Sequence, residues 1–368
     1  VNVALEIQLV AVVVAVACAL VGTFLVLRRT ALMADAISHS ILLGIVLAFF
    51  VVRDLSSPLL VLGAALMGVA TVALVELLER TGRVREDAAI GLVFPLLFSV
   101  AVILVTRFAA NVHLDTDAVL LGELALAPFR RLEVGGVDLG PRSLWVMGVI
   151  LLVVLAFLGA LYKELKITSF DPALALALGI SPGLVHYLLM GVVSVTAVGA
   201  FDAVGAVLVV ALMIAPPAAA WILSDRLPVV LALSALLGAV AAVAGFQVAW
   251  ALNASIAGCM AAMTGLVFLL VLLFAPDRGV VAGGRRRARQ RLEFAGLMLT
   301  IHLLNHEGDP SEEAECRVDH LEEHLRWSPD FARSVIRRAR RSEWVVEEED
   351  RLRLTQGGRE AAREAMLL

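Results

Sequence analysis

Charged side chains are scarce in this sequence, and they are unevenly placed. They make up 17% of the chain against 60% hydrophobic residues, and 33 of the 64 fall between Gly284 and Leu368. A soluble domain carries about 25% charged and ~45–50% apolar residues, so the charge-poor part that precedes Gly284 is no ordinary soluble domain. Two solvents are implied, lipid for the first part and water for the second. The net charge of −4 averages the two environments and points to no partner. Cysteine is equally sparse. Cys18, Cys259 and Cys316 are scattered and form no CxxC, which excludes a disulfide framework. No GxxxxGK[ST] occurs, so the chain has no phosphate-cradling loop; if ATP drives it, a separate subunit hydrolyses the nucleotide. The first apolar segment is not followed by a small-residue cleavage pattern and reads as a retained span, not a signal peptide.

A membrane-crossing helix needs ~20 mostly apolar residues. Runs at about 5–27, 32–52, 58–78, 88–106, 142–162, 184–201, 203–223, 229–250 and 255–275 meet that length. They predict an all-α polytopic membrane domain over 1–276, with eight to nine transmembrane helices. The stretch 117–129 is apolar but too short to cross and reads as re-entrant or interfacial, and the turn between 201 and 203 must be tight. Gly63, Gly191, Gly199, Gly205, Gly238 and Gly245 are expected where helix backbones approach closely. The distribution of Lys and Arg between successive loops favours a cytoplasmic C-terminus. After Pro276 comes a basic linker, 277–291, whose run Arg285-Arg286-Arg287 suits anionic lipid on the cytoplasmic face.

Three segments within the apolar part carry more than hydrophobicity. The second span opens Arg28-Arg29-Thr30-Ala31-Leu32-Met33-Ala34-Asp35-Ala36-Ile37-Ser38-His39. Asp35 and His39 are four apart and share one helix face. An ionisable residue within a span is costly and is a functional candidate by default. A carboxylate oxygen with an imidazole nitrogen makes half a site for a divalent transition metal, and a two-fold axis would supply the other half. The same spacing also suits a helix-capping Asp and an interhelical hydrogen bond from His. Between the fifth and sixth spans, Phe170-Asp171-Pro172 through Gly179 spells a short capped helix: Asp171 at the N-cap, Pro172 at the first position, Gly179 at the stop. Flanked by Lys163 and Lys166, it is expected outside the bilayer. In the seventh span, Pro216-Pro217 is expected to kink or end the helix.

Taken together, Arg28–His39, Phe170–Gly179 and Val204–Pro217 resemble the permease family of manganese, zinc and iron ABC importers, and the likeness runs over nearly all of 5–275. The resemblance implies a dimer of permeases, identical or paralogous, with two ABC ATPase subunits below and an extracytoplasmic metal-binding protein above, in the bacterial plasma membrane. It implies that Asp35 and His39 line the path of Mn, Zn or Fe, and that about 168–183 is the coupling region seated on the ATPase, with Phe170, Asp171, Pro172 and Gly179 its matching residues. The chain would be a conduit, not an enzyme, with the metal as cargo and no resident cofactor. A permease for chelated iron or a vitamin would need no ligand pair at mid-span. An ATP-independent secondary metal carrier would show more paired acids and has no use for the coupling helix. A membrane-tethered transcriptional regulator would not need nine spans.

Residues 292–368 pattern as a small α+β domain: helices over 292–306, from Ser311 to about Leu325, and over 330–341, a hairpin through Trp344–Thr355, and a last helix after Gly358. This order, with the Leu354-Thr355-x-x-Gly358-x-x-Ala361 ending, resembles the winged helix-turn-helix of metal-dependent repressors of the diphtheria-toxin-repressor type. Arg333, Arg337, Arg338, Arg340 and Arg341 could meet phosphate, but the acidic run Glu347–Asp350 would repel it. No nucleic-acid partner is expected, and a dimerisation or regulatory role is. Cys316, His320 and His324 recur every four residues on one face of the second helix, away from Val318, Leu321 and Leu325, and form a candidate regulatory metal site outside the core. His302 and His306 are also four apart, and a solvated face accounts equally for either set.

Overall fold

The computed structural model describes residues 3–53, 57, 59–108, 124–134, 137–310, 316–317, 325–348 and 351–367. The chain divides into two units, Val1–Ala275 and Pro276–Leu368.

In the first unit the described residues include nine helices long and apolar enough to cross a membrane. They are α1 (Val3–Leu27), α2 (Leu32–Val52), α3 (Leu59–Arg80), α4 (Glu86–Phe108), α5 (Arg142–Ala160), α8 (Pro182–Val204), α9 (Ala206–Leu223), α10 (Leu227–Leu252) and α11 (Ile256–Phe274). Two short helices, α6 (Tyr162–Phe170) and α7 (Pro172–Ala177), join α5 to α8. Each long helix overlaps one of the sequence-expected spans. Such helices satisfy their own backbone groups, which lipid cannot do for them. Their ends are chemically marked. Arg53 and Asn253 close α2 and α10 in the left-handed conformation. Ser181 and Ser255 accept from the N–H groups of Leu184 and Gly258 at the starts of α8 and α11.

The core is built around α1, which buries Val10, Val14, Cys18, Val21 and Phe24 against α5, α8, α9 and α10. A second layer forms where α2 packs against α3 and α4. Close approach is possible there because a β-carbon on Gly44 would collide with the carbonyl of Gly63, and one on Gly63 with the side chain of Ala48. Gly199 and Gly245 face equally tight neighbours, whereas a β-carbon on Gly191 would meet only the Val69 side chain, at an ordinary contact distance of 4.0 Å. Leu96, Ile103, Leu152 and Leu269 point outward from α4, α5 and α11, as helices apolar all round require in lipid.

Pro216 and Pro217 do not end their helix: α9 runs through both to Leu223. The interruption falls earlier, at Gly205, whose φ of 83° separates α8 from α9 within one residue. Lacking an N–H, Pro217 leaves the Met213 carbonyl without its ladder partner. That carbonyl faces Gly22 of α1 so closely that no side chain fits there. Of the stretch 117–129, the described part is a 3-10 helix, Leu124–Phe129, followed by the hairpin β1 (Arg131–Val134) and β2 (Val137–Pro141).

In the second unit the expected linker 277–291 is helical from Val280. It opens α12 (Val280–His306), since nothing in Arg285–Arg291 breaks a helix and Arg is a good helix former. There follow α13 (Pro329–Arg341), the antiparallel strands β3 (Val345–Glu348) and β4 (Arg351–Leu354), and α14 (Gln356–Met366). Leu299, Leu303, Val335, Ile336, Leu352 and Leu354 form its core. The helix expected from Ser311 to Leu325 does not hold at Cys316–Arg317. There the backbone is bridge-like: Arg317 pairs with Arg351, and the Cys316 carbonyl accepts from the N–H of Leu352.

Candidate functional site

Helix α2 starts without a side-chain cap, so Asp35 in its first turn is not occupied in capping. It turns to His39, with Oδ1 3.4 Å from Nε2. A metal bound tetrahedrally at about 2.0–2.1 Å from each donor holds its ligands ~3.3–3.4 Å apart, so the pair is already spaced to chelate. Both side chains are partly exposed, Asp35 at 40% and His39 at 31%, on a helix otherwise largely buried. His39 is held by two rings that no local motif singles out. It stacks on Phe94 at 5.7 Å between centroids and meets Phe98 edge-on at 6.0 Å, both from α4. At 1.5 Å per residue the pair lies about 5–11 Å inside the start of α2, so it is not at mid-span. Among the described residues no group of three or more His, Cys, Asp or Glu could hold a metal, and Asp35 with His39 is a pair only.

A second polar cluster joins α3 to α8. The hydroxyls of Ser40 and Thr71 meet at 2.7 Å and set the register of α2 against α3. Counting five residues from each toward the same end reaches Asp35 on α2 and Glu76 on α3. Glu76 is 3.1 Å from His186 Nε2, accepts from the Tyr187 hydroxyl at 2.6 Å and lies 3.5 Å from Arg80. Sequence reasoning missed this cluster because its members come from separate spans with no local motif.

The expected coupling segment, about 168–183, takes in the end of α6, all of α7 and the first residues of α8, at the end of the unit where α2 begins. Asp171 caps α7 by accepting from the Leu174 N–H at 2.9 Å, Pro172 takes the first position, and Gly179 has a φ of 78°. Leu165 anchors α6 in the core, while Phe170, Leu174, Leu176 and Leu178 are exposed. The preceding helix α6 was not foreseen. At the opposite end, Arg131 bridges Glu6 of α1 and Asp138 of β2. The Gly140 N–H, and next Arg131, hold the Asp138 carboxyl below the usual carboxylate range.

In the second unit Cys316 is buried in the apolar core, against the expectation of an outward stripe. His320 and His324 lie outside the described residues. The rings of His302 and His306 are 4.8 Å apart on α12. Arg340 pairs with Glu347 at 2.6 Å and Arg353 with Glu348 at 3.4 Å, so the acids of the hairpin occupy part of the arginine surface.

Residues 2–275 match the model of the ABC 3 transport family. The chain is 50% identical over 354 residues to the zinc transport system membrane protein TroD of Treponema pallidum, covering 96% of each. It is 50% identical over 285 residues to the manganese transport system membrane protein MntD of Bacillus subtilis, covering 77% of this chain and 96% of that one. Among solved structures it resembles PsaBC from Streptococcus pneumoniae in complex with Fab, at a TM-score of 0.64 and 27% identity over 76% of this chain and 94% of that one.

Proposed function

The chain belongs to the ABC 3 transport family, and on that premise we propose that it is the permease subunit of an ATP-binding-cassette importer for a divalent transition metal ion. The observation that carries this reading is the Asp35–His39 pair, partly exposed and spaced at 3.4 Å to chelate one ion. Two permeases, identical or paralogous, would bring two such pairs together, giving two oxygens and two nitrogens. A path must release what it binds, and two protein ligands per subunit hold an ion less firmly than a closed structural cage does. Manganese and zinc are the favoured cargoes, because the two relatives at 50% identity are named for them. A permease for a chelated or organic cargo has no use for a chelating pair, and that favours a bare ion.

The exposed apolar crest Phe170, Leu174, Leu176 and Leu178 is the surface we assign to the ATPase partner. An extracytoplasmic metal-binding protein would load the ion at the opposite end, near the Arg131 hairpin. Nucleotide closure below would move α6 and α7, and the half-sites would pass the ion inward. The second unit is read as a cytoplasmic winged-helix domain. The 354-residue match to TroD supports it as a shared part, since it extends well beyond Ala275. Its role is regulatory or in dimerisation.

The test is uptake of radioactive Mn²⁺ and Zn²⁺, in competition, by cells expressing wild type, Asp35→Ala or His39→Ala at matched membrane abundance. Loss of uptake in both variants is expected, with the competition naming the metal. Normal uptake in both would refute the half-site.

A further inference from the structure

We infer that Arg28 is the positioning residue that transmits movement of the α6–α7 corner to the metal pair on α2. This rests on the coupling role proposed above for that corner.

The guanidinium of Arg28 is forked across two successive residues of α6: Nε donates to Ser169 Oγ at 3.0 Å, and Nη2 donates to Thr168 Oγ1 at 2.8 Å. Thr168 gives its own proton to the Glu164 carbonyl at 2.7 Å, so its oxygen is oriented to accept. A planar, always-charged fork that engages two acceptors fixes both distance and angle, which a single bond from a lysine would not.

Both sides of this fork are stiff. Arg28 continues α1, its N–H bonded to the Phe24 carbonyl at 3.0 Å. Arg29 turns the chain with a φ of 63°. The N–H of Thr30 returns to Leu25 at 2.9 Å, and Met33 bonds back to Thr30 at 3.0 Å, inside the first turn of α2. Asp35 follows two residues later. On the other side, Asp171 alone separates α6 from the capped α7, and Leu165 and Thr168 of α6 are buried. From the exposed crest to Asp35, every step is a helix, a capped corner or a hydrogen bond, with no slack loop to absorb a displacement. α6 also touches α1 and α8, but Arg28 is its link to the turn that leads directly into the metal-bearing helix.

The experiment measures metal uptake per ATP hydrolysed in proteoliposomes holding the permease with its ATPase and supplied by its binding protein. Equilibrium Mn²⁺ or Zn²⁺ binding is measured on the same preparations. Arg28→Gln is expected to lower uptake per ATP by about tenfold, within the range of coupling through packed networks. ATP hydrolysis and equilibrium metal binding should stay within about twofold of wild type, a margin small beside that coupling effect. Arg28→Lys is expected to recover part of the ratio. An unchanged ratio overturns the inference, and so does a loss of uptake that follows a parallel loss of metal binding. If Arg28→Gln does not assemble, the double variant Thr168→Val with Ser169→Ala removes both acceptors and must show the same fall; a wild-type ratio there overturns the inference equally. Failure of the wild type to carry either metal would instead refute the proposed function, so the two failures are distinct.

Discussion

Phe94 offers a test of the proposed metal pair that leaves Asp35 and His39 in place. Its ring stacks on His39 with centroids 5.7 Å apart and planes 29° from parallel, while Phe98 supports the same imidazole edge-on. Such aromatic contacts are worth about 0.5–1.5 kcal/mol beyond the area they bury. Here they hold an otherwise partly exposed imidazole in the rotamer that faces Asp35. Replacing Phe94 with Leu keeps an apolar side chain on α4 but removes the stack. The free imidazole then samples other rotamers, and the cost of restoring the chelating one falls on metal binding. At about 1.4 kcal/mol per tenfold, the lost contact corresponds to a ~2- to 13-fold weaker site. Initial uptake rates over a range of free Mn²⁺ or Zn²⁺ are the assay, at matched abundance of Phe94→Leu and wild type. A raised KM for metal with an unchanged maximal rate is expected, because orientation of a ligand affects occupancy and not the nucleotide-driven step. A changed maximal rate at constant KM would refute the argument, showing that Phe94 acts on helix movement and not on His39.

Two further outcomes concern other parts of the chain. Asp171→Ala removes the cap of a helix only six residues long; at about 0.5–2 kcal/mol for a lost cap, α7 is expected to fray. Faster amide hydrogen exchange over 173–178, with reduced uptake, would register this, and unchanged exchange would show the cap to be dispensable. In the second unit the Arg359 guanidinium holds the Glu307 carboxyl below its ordinary value, and Glu307 in turn raises Arg359. A depressed carboxylate stabilises above its unfolded pKa of about 4.3, and that contribution disappears as pH falls through the lower folded value. Protection of α14 against hydrogen exchange in wild type should therefore exceed that in Glu307→Gln at pH 6, and the two should converge as the pH is taken below about 4. Equal protection at pH 6 would show that the pair contributes nothing.

What the sequence made legible, and what it hid, follows from how far apart the interacting residues lie. The spans could be read because lipid leaves a backbone no alternative to the helix, so a run of apolar residues suffices to locate one. Asp35 with His39 and Asp171 with Pro172 were legible because helical spacing and capping act over three or four residues. Local rules failed where a distant partner decides the outcome. Pro216 and Pro217 stay inside α9, and the freed Met213 carbonyl packs against Gly22 nearly two hundred residues away. Cys316 left its expected helix because β4 offers its backbone a bridging partner. The rings that hold His39 come from another span, and Arg28 finds its acceptors 140 and 141 residues along the chain. A pair on one helix, such as Asp35 and His39, is thus readable from the sequence, but the groups from other helices that pack against it are not. That is consistent with transport itself, since an ion can be bound by local chemistry and can be driven only by contacts that join separate elements.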